Sequence, residues 1–341
     1  MARRRRGTGA DRQPTMHDVA GVAGVSQMTV SRVMRGTGYI SKDVRKAVVR
    51  AARDIGYVHN RLAGGNAAYD NPLVGVVVPT LQNRVFTEVL AGIDATLGES
   101  HLRPVFGVSE YALETEEDIV FDLLAWRPRG LILSGLEHTE ALRQIVQRTG
   151  VRVAEIMDSD GAPMSACFGF SHHKVGCDMA RHLLRRGYRR FGYVASTIGN
   201  DLRATKRFDA FAKTVSDAGA SIVARRVDGA PSSMQAGRAL TAALLAESAP
   251  MDAIYYANDD LAAGGLMHCL ATGIDVPGAL ALAGFNGLGF LTALPMRITT
   301  TQTPRHEIGA AAAAWILAEA PESPPVAGPD FTCRLIAGHT T

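Results

Sequence analysis

The sequence predicts a small helical domain followed by a larger, two-lobed domain built from doubly wound parallel sheets. Three short helix patterns, each preceded by a capping residue, fill residues 15–55. From Leu73 onward, apolar strand patterns alternate with amphipathic helix patterns. The chain of 341 residues is also longer than one hydrophobic core usually organises, so we expect at least two domains.

The first three elements are short helices with matching start and stop signals. A serine or threonine hydroxyl accepts a hydrogen bond from free N–H groups at a helix start, and glycine ends a helix because it readily adopts a left-handed backbone. The cap and stop pairs are Thr15 with Gly24, Ser26 with Gly36, and Ser41 with Gly56. Two short helices joined by a tight turn and braced by a third form the helix-turn-helix arrangement.

The second helix carries side chains suited to reading DNA. Its predicted exposed face contains Gln27, Met28, Thr29, Ser31 and Arg32. Arg32 can bind guanine through two hydrogen bonds, while the hydroxyls of Thr29 and Ser31 can contact phosphates. Residues 1–60 hold 12 Lys or Arg against 4 Asp or Glu, whereas the net charge of the whole chain is only +3. Together with the three capped helices and the turn spacing, this uneven charge favours DNA binding over a plain three-helix bundle with a polar surface.

The helical domain resembles a known family of DNA-binding proteins. DVAGVAGVSQMTVSRVM at residues 18–34 and IGYVHNR at residues 55–61 resemble the headpiece of the lactose/galactose repressor family (LacI/GalR type). The resemblance implies a transcriptional regulator, most simply a repressor, that binds double-stranded operator DNA. It implies base contacts by Gln27, Met28 and Arg32, and phosphate contacts by Thr15, Thr29, Ser31 and Asn60.

The segment after the helical domain departs from that family. Its members place a short hinge helix here, which forms on DNA and inserts a leucine into the minor groove. Counted forward from Asn60, the leucine position holds Asn66, and His59 replaces a usual proline. The glycines at residues 64–65 disfavour helix by about 1 kcal/mol each relative to alanine. We expect a looser hinge or weaker DNA kinking, and a flexible linker over residues 63–71 is the alternative.

The rest of the chain has the pattern of parallel α/β lobes. Strands are predicted at Leu73–Val78, Pro104–Val108, Leu131–Ser134, Val151–Ile156, Phe191–Ala195, Ile222–Val227, Ala253–Ala257 and Leu280–Ala283. Helix patterns lie between them, for example Glu114–Ala125, Val175–Arg186, Met234–Ala246 and Leu261–Ala271. This alternation predicts largely parallel sheets, and its length fits two lobes better than one.

The residues that follow the predicted strands suggest a pocket for a hydroxyl-rich ligand. Doubly wound sheets bind ligands at the carboxyl ends of their strands. The residues found there are 79–83, Ser134, Asp158, Phe170, Asn258, Asp259 and Asn286. Amide and carboxylate groups can bridge neighbouring hydroxyls, and Phe86 and Phe170 can cover an apolar sugar face. The alternative is that Asn258 or Asp259 only caps the next helix, but recurrence at several strands favours a pocket.

The body also resembles the lactose/galactose repressor family. The resemblance is carried by VVPTLQN at residues 77–83, ANDDLAAG at 257–264, VP at 276–277 and AGFN at 283–286. It implies a two-lobed effector domain similar to periplasmic sugar-binding proteins. The implied effector contacts are Asn83, Phe86, Asp158, Phe170, Arg207, Asn258 and Asn286. Asn286 stands where the family usually has aspartate, so hydroxyl recognition there is expected to differ.

Further blocks indicate the class of effector. NRVFTEVLAGI at residues 83–93, EIMDS at 155–159 and TPR at 303–305 look most like repressors of gluconate and ketogluconate use. Arg203, Lys206 and Arg207 are expected to border the cleft, where Arg207 can bind a carboxylate. A sugar acid is therefore the predicted effector. A neutral pentose or hexose is the alternative, because neutral-sugar members also have arginine at the position of Arg207.

Enzyme, metal and membrane functions find little support. A nucleotide-dependent, Rossmann-like enzyme is the rival class, but GFNGLG at residues 284–289 is not GxGxxG, and the sequence contains no GxxxxGK[ST], HExxH or GxSxG motif. His172 and His173 are interpreted as the solvent-exposed start of a helix rather than a metal site. The four cysteines lack CxxC spacing, and no cofactor is expected. The apolar runs are shorter than the ~20 residues that span a bilayer, so a cytoplasmic protein is expected.

These patterns divide the chain into four parts. We predict a basic disordered arm at residues 1–13, a DNA-binding headpiece at 14–59, a hinge at 60–71 and an effector-binding and dimerisation domain at 72–341. The two lobes are expected to comprise 72–168 with 291–325, and 169–290 with 326–341. No heptad pattern follows Ile336, so we expect a homodimer whose two headpieces bind a near-palindromic operator.

Overall fold

The amino-terminal domain consists of helices α1 (Met16–Ala23), α2 (Gln27–Arg35) and α3 (Lys42–Ile55). The computed structural model describes residues 14–58, 71–196, 201–229, 231–318 and 331–341. The predicted arm, Asn60 and Asn66 lie outside these residues, as does all of the predicted hinge except Asn71. The predicted caps and stops of all three helices are confirmed: the three hydroxyls accept first-turn N–H groups, and the three glycines are left-handed.

A small apolar core fixes the three helices. Val19, Val30, Val48 and Ala52 have no exposed surface, and each of the three helices contributes to this set. Because α2 buries Val30 and Val33, its opposite face points away from the domain.

The first lobe is a five-stranded parallel sheet. Its strands are β1 (Leu73–Val78), β2 (Arg103–Val108), β3 (Gly130–Ser134), β4 (Arg152–Ile156) and β5 (Ala166–Phe168), in the order β2-β1-β3-β4-β5. The helices between these strands are α4 (Arg84–Gly98), α5 (Leu113–Leu124) and α6 (Glu140–Thr149).

The second lobe is a four-stranded parallel sheet of the same kind. Its strands are β6 (Arg190–Ser196), β7 (Ser221–Asp228), β8 (Ala253–Tyr256) and β9 (Ala281–Ala283), in the order β7-β6-β8-β9. Its helices are α7 (His172–Arg185), α8 (Leu202–Asp217), α9 (Met234–Glu247) and α10 (Asp259–Thr272). Strands β10 (Thr300–Gln302) and β11 (Arg334–Ile336) form an antiparallel pair.

The chain crosses between the lobes more than once. Helix α11 (Arg305–Leu317) returns to the first lobe and packs against α4. Leu291 and Ile298, by contrast, are buried in the core of the second lobe. Residues 291–302 therefore lie with the second lobe, whereas the division predicted from sequence assigns them to the first. The apolar side chains of this segment decide its position.

The predicted fold class is confirmed as a helix-turn-helix domain followed by two parallel α/β lobes. Each of the eight predicted strands is present, with bounds that differ by at most one residue at either end. Strands β5, β10 and β11 are not among those predicted. Each has only three residues, which gives a weak hydrophobic period.

Neither a metal centre nor a membrane span is found in the described part of the chain. No group of three or more His, Cys, Asp or Glu side chains there is arranged to hold a metal ion. Among the same residues, no helix has both the length and the apolar character needed to cross a bilayer.

Two glycines allow α4 and α11 to cross in close contact. A Cβ atom at Gly92 would lie 2.1 Å from the carbonyl oxygen of His306, and one at Gly309 would lie 2.1 Å from that of Val89. Both obstructing atoms belong to the backbone, so no side chain can move aside to relieve the overlap. The close crossing therefore requires glycine on both helices.

Replacing Gly92 with alanine is expected to lower the free energy of unfolding by about 1–3 kcal/mol, as overpacking of a dense core typically does. Urea denaturation followed by circular dichroism measures this change. Gly98→Ala is the matched control, because an added Cβ at this end of α4 meets no atom within 4 Å. If Gly92→Ala were as stable as Gly98→Ala, close helix contact would not be a constraint on this fold.

Candidate functional site

Helix α2 presents its polar side chains on the outside of the amino-terminal domain. Gln27, Met28 and Arg32 are exposed, and 65% of the surface of Met28 is accessible. Thr29 and Ser31 are half-buried beside them. An α-helix with its side chains free on one face can enter the major groove of DNA without rearrangement of its own domain.

Some of the predicted phosphate contacts already have partners within the domain. The Thr15 hydroxyl donates a 2.6 Å hydrogen bond to Asp18 as part of the α1 cap. Arg35 donates to the Ser31 hydroxyl at 2.5 Å and to the Ser31 carbonyl at 3.3 Å. Arg35 is not among the predicted DNA contacts, although its position four residues after Ser31 places both on one helix face. Asn60 lies outside the described residues.

The end of α3 also contacts the first lobe. The Arg53 guanidinium pairs with Asp118 on α5, and its central carbon lies 5.3 Å from the ring centroid of Phe121. On α6, Arg148 donates a 3.3 Å hydrogen bond to the carbonyl of Asp54. The amino-terminal domain is therefore joined to the body by side-chain contacts as well as by the chain itself.

A cavity of about 120 Å³ lies between the lobes, where the carboxyl ends of the two parallel sheets meet. One water molecule needs roughly 10–15 Å³ of such cavity space, so the cavity has room for a small molecule. Six of the seven predicted effector residues line it, namely Asn83, Phe86, Phe170, Arg207, Asn258 and Asn286. Both lobes contribute side chains to the wall, so an occupant would contact both.

Arg207 is held firmly within the cavity wall. Only 4% of its surface is exposed. Its Nη2 donates to the carbonyl of Ala257 at 2.8 Å, and its Nη1 lies 2.9 Å from Nδ1 of His172. The central carbon lies 3.6 Å from the ring centroid of Phe285, which places the guanidinium against the aromatic ring. Its position is therefore fixed before any ligand binds.

His172 is not solvent-exposed, contrary to the sequence interpretation. It does begin helix α7, but only 3% of its surface is accessible. Its ring centroid lies 4.6 Å from that of Phe170, and its Nε2 lies 2.9 Å from the carbonyl oxygen of Met157. The first turn of α7 is covered by a loop of the other lobe, and local sequence patterns do not reveal such contacts.

Asp158 does not line the cavity. It has no exposed surface, and its carboxylate accepts a 2.6 Å hydrogen bond from Nζ of Lys206. Burial raises the pKa of Asp158, and the hydrogen bond from Lys206 opposes this shift. Lys206 also lies 2.6 Å from Glu137. Because Lys206 is on α8 and both acids follow strands of the first lobe, this cluster bridges the lobes beside the cavity.

Asn83 and Asn258 cap helices and line the cavity at the same time. The side-chain oxygen of Asn83 accepts from the N–H of Val85 at 3.0 Å, and that of Asn258 accepts from the N–H of Leu261 at 3.1 Å. The amide nitrogen of Asn258 donates to Ser232 at 2.7 Å. Each asparagine therefore caps a helix, as in the capping alternative, and also lies in the cavity wall, so that the two roles do not exclude each other. Capping fixes each amide near the carboxyl end of the preceding strand.

Asn286 occupies a special backbone position. Its φ is 121°, a region that residues other than glycine rarely adopt and that often marks a functional site. Its carbonyl accepts hydrogen bonds from the N–H of Thr303 and from Arg305, the first residue of α11. Arg305 in turn pairs with Glu88 on α4 at 2.8 Å. Residue 286 is thus tied to the first lobe although it follows a strand of the second.

Arg203, Asp201 and Tyr111 also line the cavity but are absent from the predicted contact set. Arg203 donates to the Ser134 hydroxyl at 2.5 Å, lies 3.5 Å from Asp201 and lies 5.5 Å from the centroid of Phe86. Burial raises the pKa of Tyr111 to about 12, so its hydroxyl remains protonated. Arg203 belongs to the basic cluster expected to border the cleft, whereas no sequence pattern singles out Tyr111, which follows the end of β2.

Comparison with known proteins agrees with this geometry. Residues 15–60 match the bacterial regulatory proteins of the lacI family, and residues 180–341 match a periplasmic binding protein-like domain. The chain is similar to the HTH-type transcriptional regulator GntR of Pseudomonas aeruginosa. The two are 37% identical over 311 aligned residues, and this alignment covers 90% of this chain and 89% of that protein.

Two solved structures are similar over most of the chain. A LacI-family transcriptional regulator from Silicibacter pomeroyi is 42% identical, with a TM-score of 0.76, over 96% of this chain and 99% of that one. The transcription regulator GntR from Chromobacterium violaceum is 34% identical, with a TM-score of 0.70, over 79% of this chain and 98% of that one.

The matches extend across both the helical domain and the two lobes. They confirm the resemblance first seen in residues 18–34, and they leave no support for the rival enzyme class. The chain therefore belongs to the lacI family of bacterial regulatory proteins and is a DNA-binding transcriptional regulator.

Proposed function

We propose that this regulator represses transcription as a homodimer on a near-palindromic operator, and that a small sugar acid such as gluconate or ketogluconate controls its operator affinity. The observation that carries the effector class is the Arg207 guanidinium, which lines the cavity and forms no ion pair with any described Asp or Glu. A protein that acts on operator DNA is expected in the cytoplasm.

A buried, unpaired guanidinium favours an anionic occupant. Burying a cation without a counter-charge is unfavourable, and a carboxylate would supply that charge through two parallel hydrogen bonds. The other charges of the wall are already opposed in pairs. Arg203 lies beside Asp201, and Arg84 opposes the increase that burial causes in the pKa of Asp260. Of the charged groups in the wall, Arg207 is therefore the one that an acidic ligand would stabilise most.

The remaining wall suits the hydroxylated carbon chain of a sugar acid. The amides of Asn83 and Asn258 and the hydroxyl of Tyr111 can form hydrogen bonds with hydroxyl groups, and Phe170 offers an apolar surface. The sequence blocks that resemble repressors of gluconate use, and the two relatives named GntR, support the same class.

Contacts connect the cleft with the DNA-binding domain through α5. Lys206 binds Glu137 at the cleft, and the neighbouring His138 binds Glu116 on α5 at 2.6 Å. Burial lowers the pKa of His138, but the hydrogen bond to Glu116 and the nearby carboxylate of Glu155 raise it to about 9, so the histidine is charged. Further along α5, Asp118 pairs with Arg53. Closure of the lobes can therefore shift α5 and, with it, the amino-terminal domain that carries α2, the helix proposed to read DNA.

The effector class is tested by calorimetric titration of the full-length protein with D-gluconate, 2-ketogluconate and D-ribose. We expect a sugar acid to bind. We also expect Arg207→Ala to abolish this binding and, with it, the effect of the sugar acid on operator affinity, whether that effect is a decrease or an increase. Operator affinity without effector should not change. Arg238→Ala, an exposed change of the same charge on α9, serves as the control. Binding of ribose alone would refute the sugar-acid proposal.

The reading helix is tested by Arg32→Ala. Loss of a bidentate base contact is expected to weaken operator binding by roughly 1–3 kcal/mol in a gel-shift assay, while the affinity for effector remains intact. Arg181→Ala on the body removes the same charge far from DNA and should have no effect. Wild-type and Arg32→Ala should both bind less tightly as salt increases, because phosphate contacts supply much of the affinity. Unchanged operator affinity would mean that α2 is not the reading helix.

The coupling route is tested by Asp118→Ala. The affinities for gluconate alone and for operator alone should stay within about twofold, whereas the effect of gluconate on operator affinity should fall about two- to fivefold, because a partly exposed ion pair contributes little energy. Asp122→Ala is an exposed change of the same charge on α5 and should leave the coupling unaffected. Full coupling in Asp118→Ala would eliminate this contact as part of the route.

A further inference from the structure

His172 stands at the point where the chain leaves the first lobe for the second. It begins α7, four residues after β5 ends at Phe168, and its side chain is buried between the lobes. On one side it meets Arg207 of α8, and on the other it meets the backbone of Met157, in the loop after β4. Its ring also lies 6.0 Å from that of Phe285 in the cavity wall.

The two hydrogen bonds define which nitrogen of His172 carries the proton. A guanidinium can only donate, so Nδ1, which lies 2.9 Å from Nη1 of Arg207, has to accept. The proton is therefore on Nε2, which donates to the carbonyl oxygen of Met157 at 2.9 Å. Burial lowers the pKa of His172 well below its usual value, and the charges of Arg207, Arg203 and Lys206 lower it further. The imidazole is accordingly neutral.

We infer that His172 is a positioning residue that holds the Arg207 guanidinium in the orientation needed to bind an anionic effector, and that ties this orientation to the backbone of the first lobe at Met157. The inference rests on the proposed function in that Arg207 is taken as the effector-binding group. His172 is not among the effector contacts that the family resemblance implies, so the inference assigns it a role of its own.

The surroundings of Arg207 show why an acceptor at His172 matters. Phe285 contacts one face of the guanidinium and limits its plane, but a flat ring does not prevent rotation within that plane. The carbonyl of Ala257 fixes Nη2, and Nδ1 of His172 fixes Nη1. Two acceptors on different nitrogens stop the rotation. If one acceptor is lost, the fork of N–H groups can turn away from the cavity.

The test compares one substitution that retains an acceptor for Arg207 with one that removes both this acceptor and the donor to Met157. His172→Asn keeps an oxygen near the place of Nδ1, whereas His172→Phe keeps the ring and its aromatic contacts but has no acceptor. Calorimetric titration with D-gluconate is expected to show about tenfold weaker binding for His172→Phe, as for loss of one hydrogen bond to a charged group, and less than threefold for His172→Asn. Thermal unfolding and operator binding without effector report whether each variant is folded.

A double-mutant cycle separates positioning from a general structural role. In an Arg207→Lys background, the forked donor is already absent, so His172→Phe is expected to change gluconate affinity less than twofold. A loss of the same size in both backgrounds would overturn the inference. So would equal losses in His172→Asn and His172→Phe when both unfold at the wild-type temperature.

Crystal structures of the two variants decide the inference even if gluconate does not bind the wild-type protein. In that case the sugar-acid proposal fails, but the position of the guanidinium can still be observed. We expect Arg207 to leave the carbonyl of Ala257 in His172→Phe and to keep this hydrogen bond in His172→Asn. An unmoved guanidinium in His172→Phe would show that the imidazole does not position it.

Discussion

The buried guanidinium of Arg207 is the constraint on which the cleft depends. A cation with 4% of its surface exposed requires acceptors and a polarisable neighbour, and the fold provides them from separate elements. Ala257 follows β8, Phe285 follows β9, and His172 begins α7. Parallel sheets gather their strand ends at one edge, which is why residues so distant in sequence can surround one side chain.

Several polar side-chain contacts bridge the lobes, and they differ in exposure. Lys206 reaches two acids of the first lobe, and Arg203 reaches Ser134. In the Lys206–Glu137 pair, 23% and 32% of the two side chains are exposed, and ion pairs in contact with water contribute little to stability. Such bridges allow the lobes to close without locking them. An effector with even modest preference for the closed form can then shift the equilibrium between the two.

Local chemistry made much of this structure predictable. Hydroxyl caps at Thr15, Ser26 and Ser41, each followed by a glycine stop, define the three helices almost to the residue. Asn258 and Asn286 could be found because they follow strands, whereas Arg207 lies in α8 and was found through the family resemblance. Asp158 and His172 could not be placed in the same way. Asp158 follows the expected strand but turns to Lys206, and His172 is buried by a loop of the opposite lobe. Both outcomes depend on tertiary contacts.

The glycine contact between α4 and α11 has a consequence for the thermodynamics of effector binding. Asn83 caps α4, and Arg305 at the start of α11 holds both Glu88 and the carbonyl of Asn286. With the two helices in backbone contact, these wall residues belong to one stiff block rather than to separate loops. Little chain disorder remains to be removed when a ligand arrives, so the entropic penalty of association should come mainly from the reorientation of whole lobes.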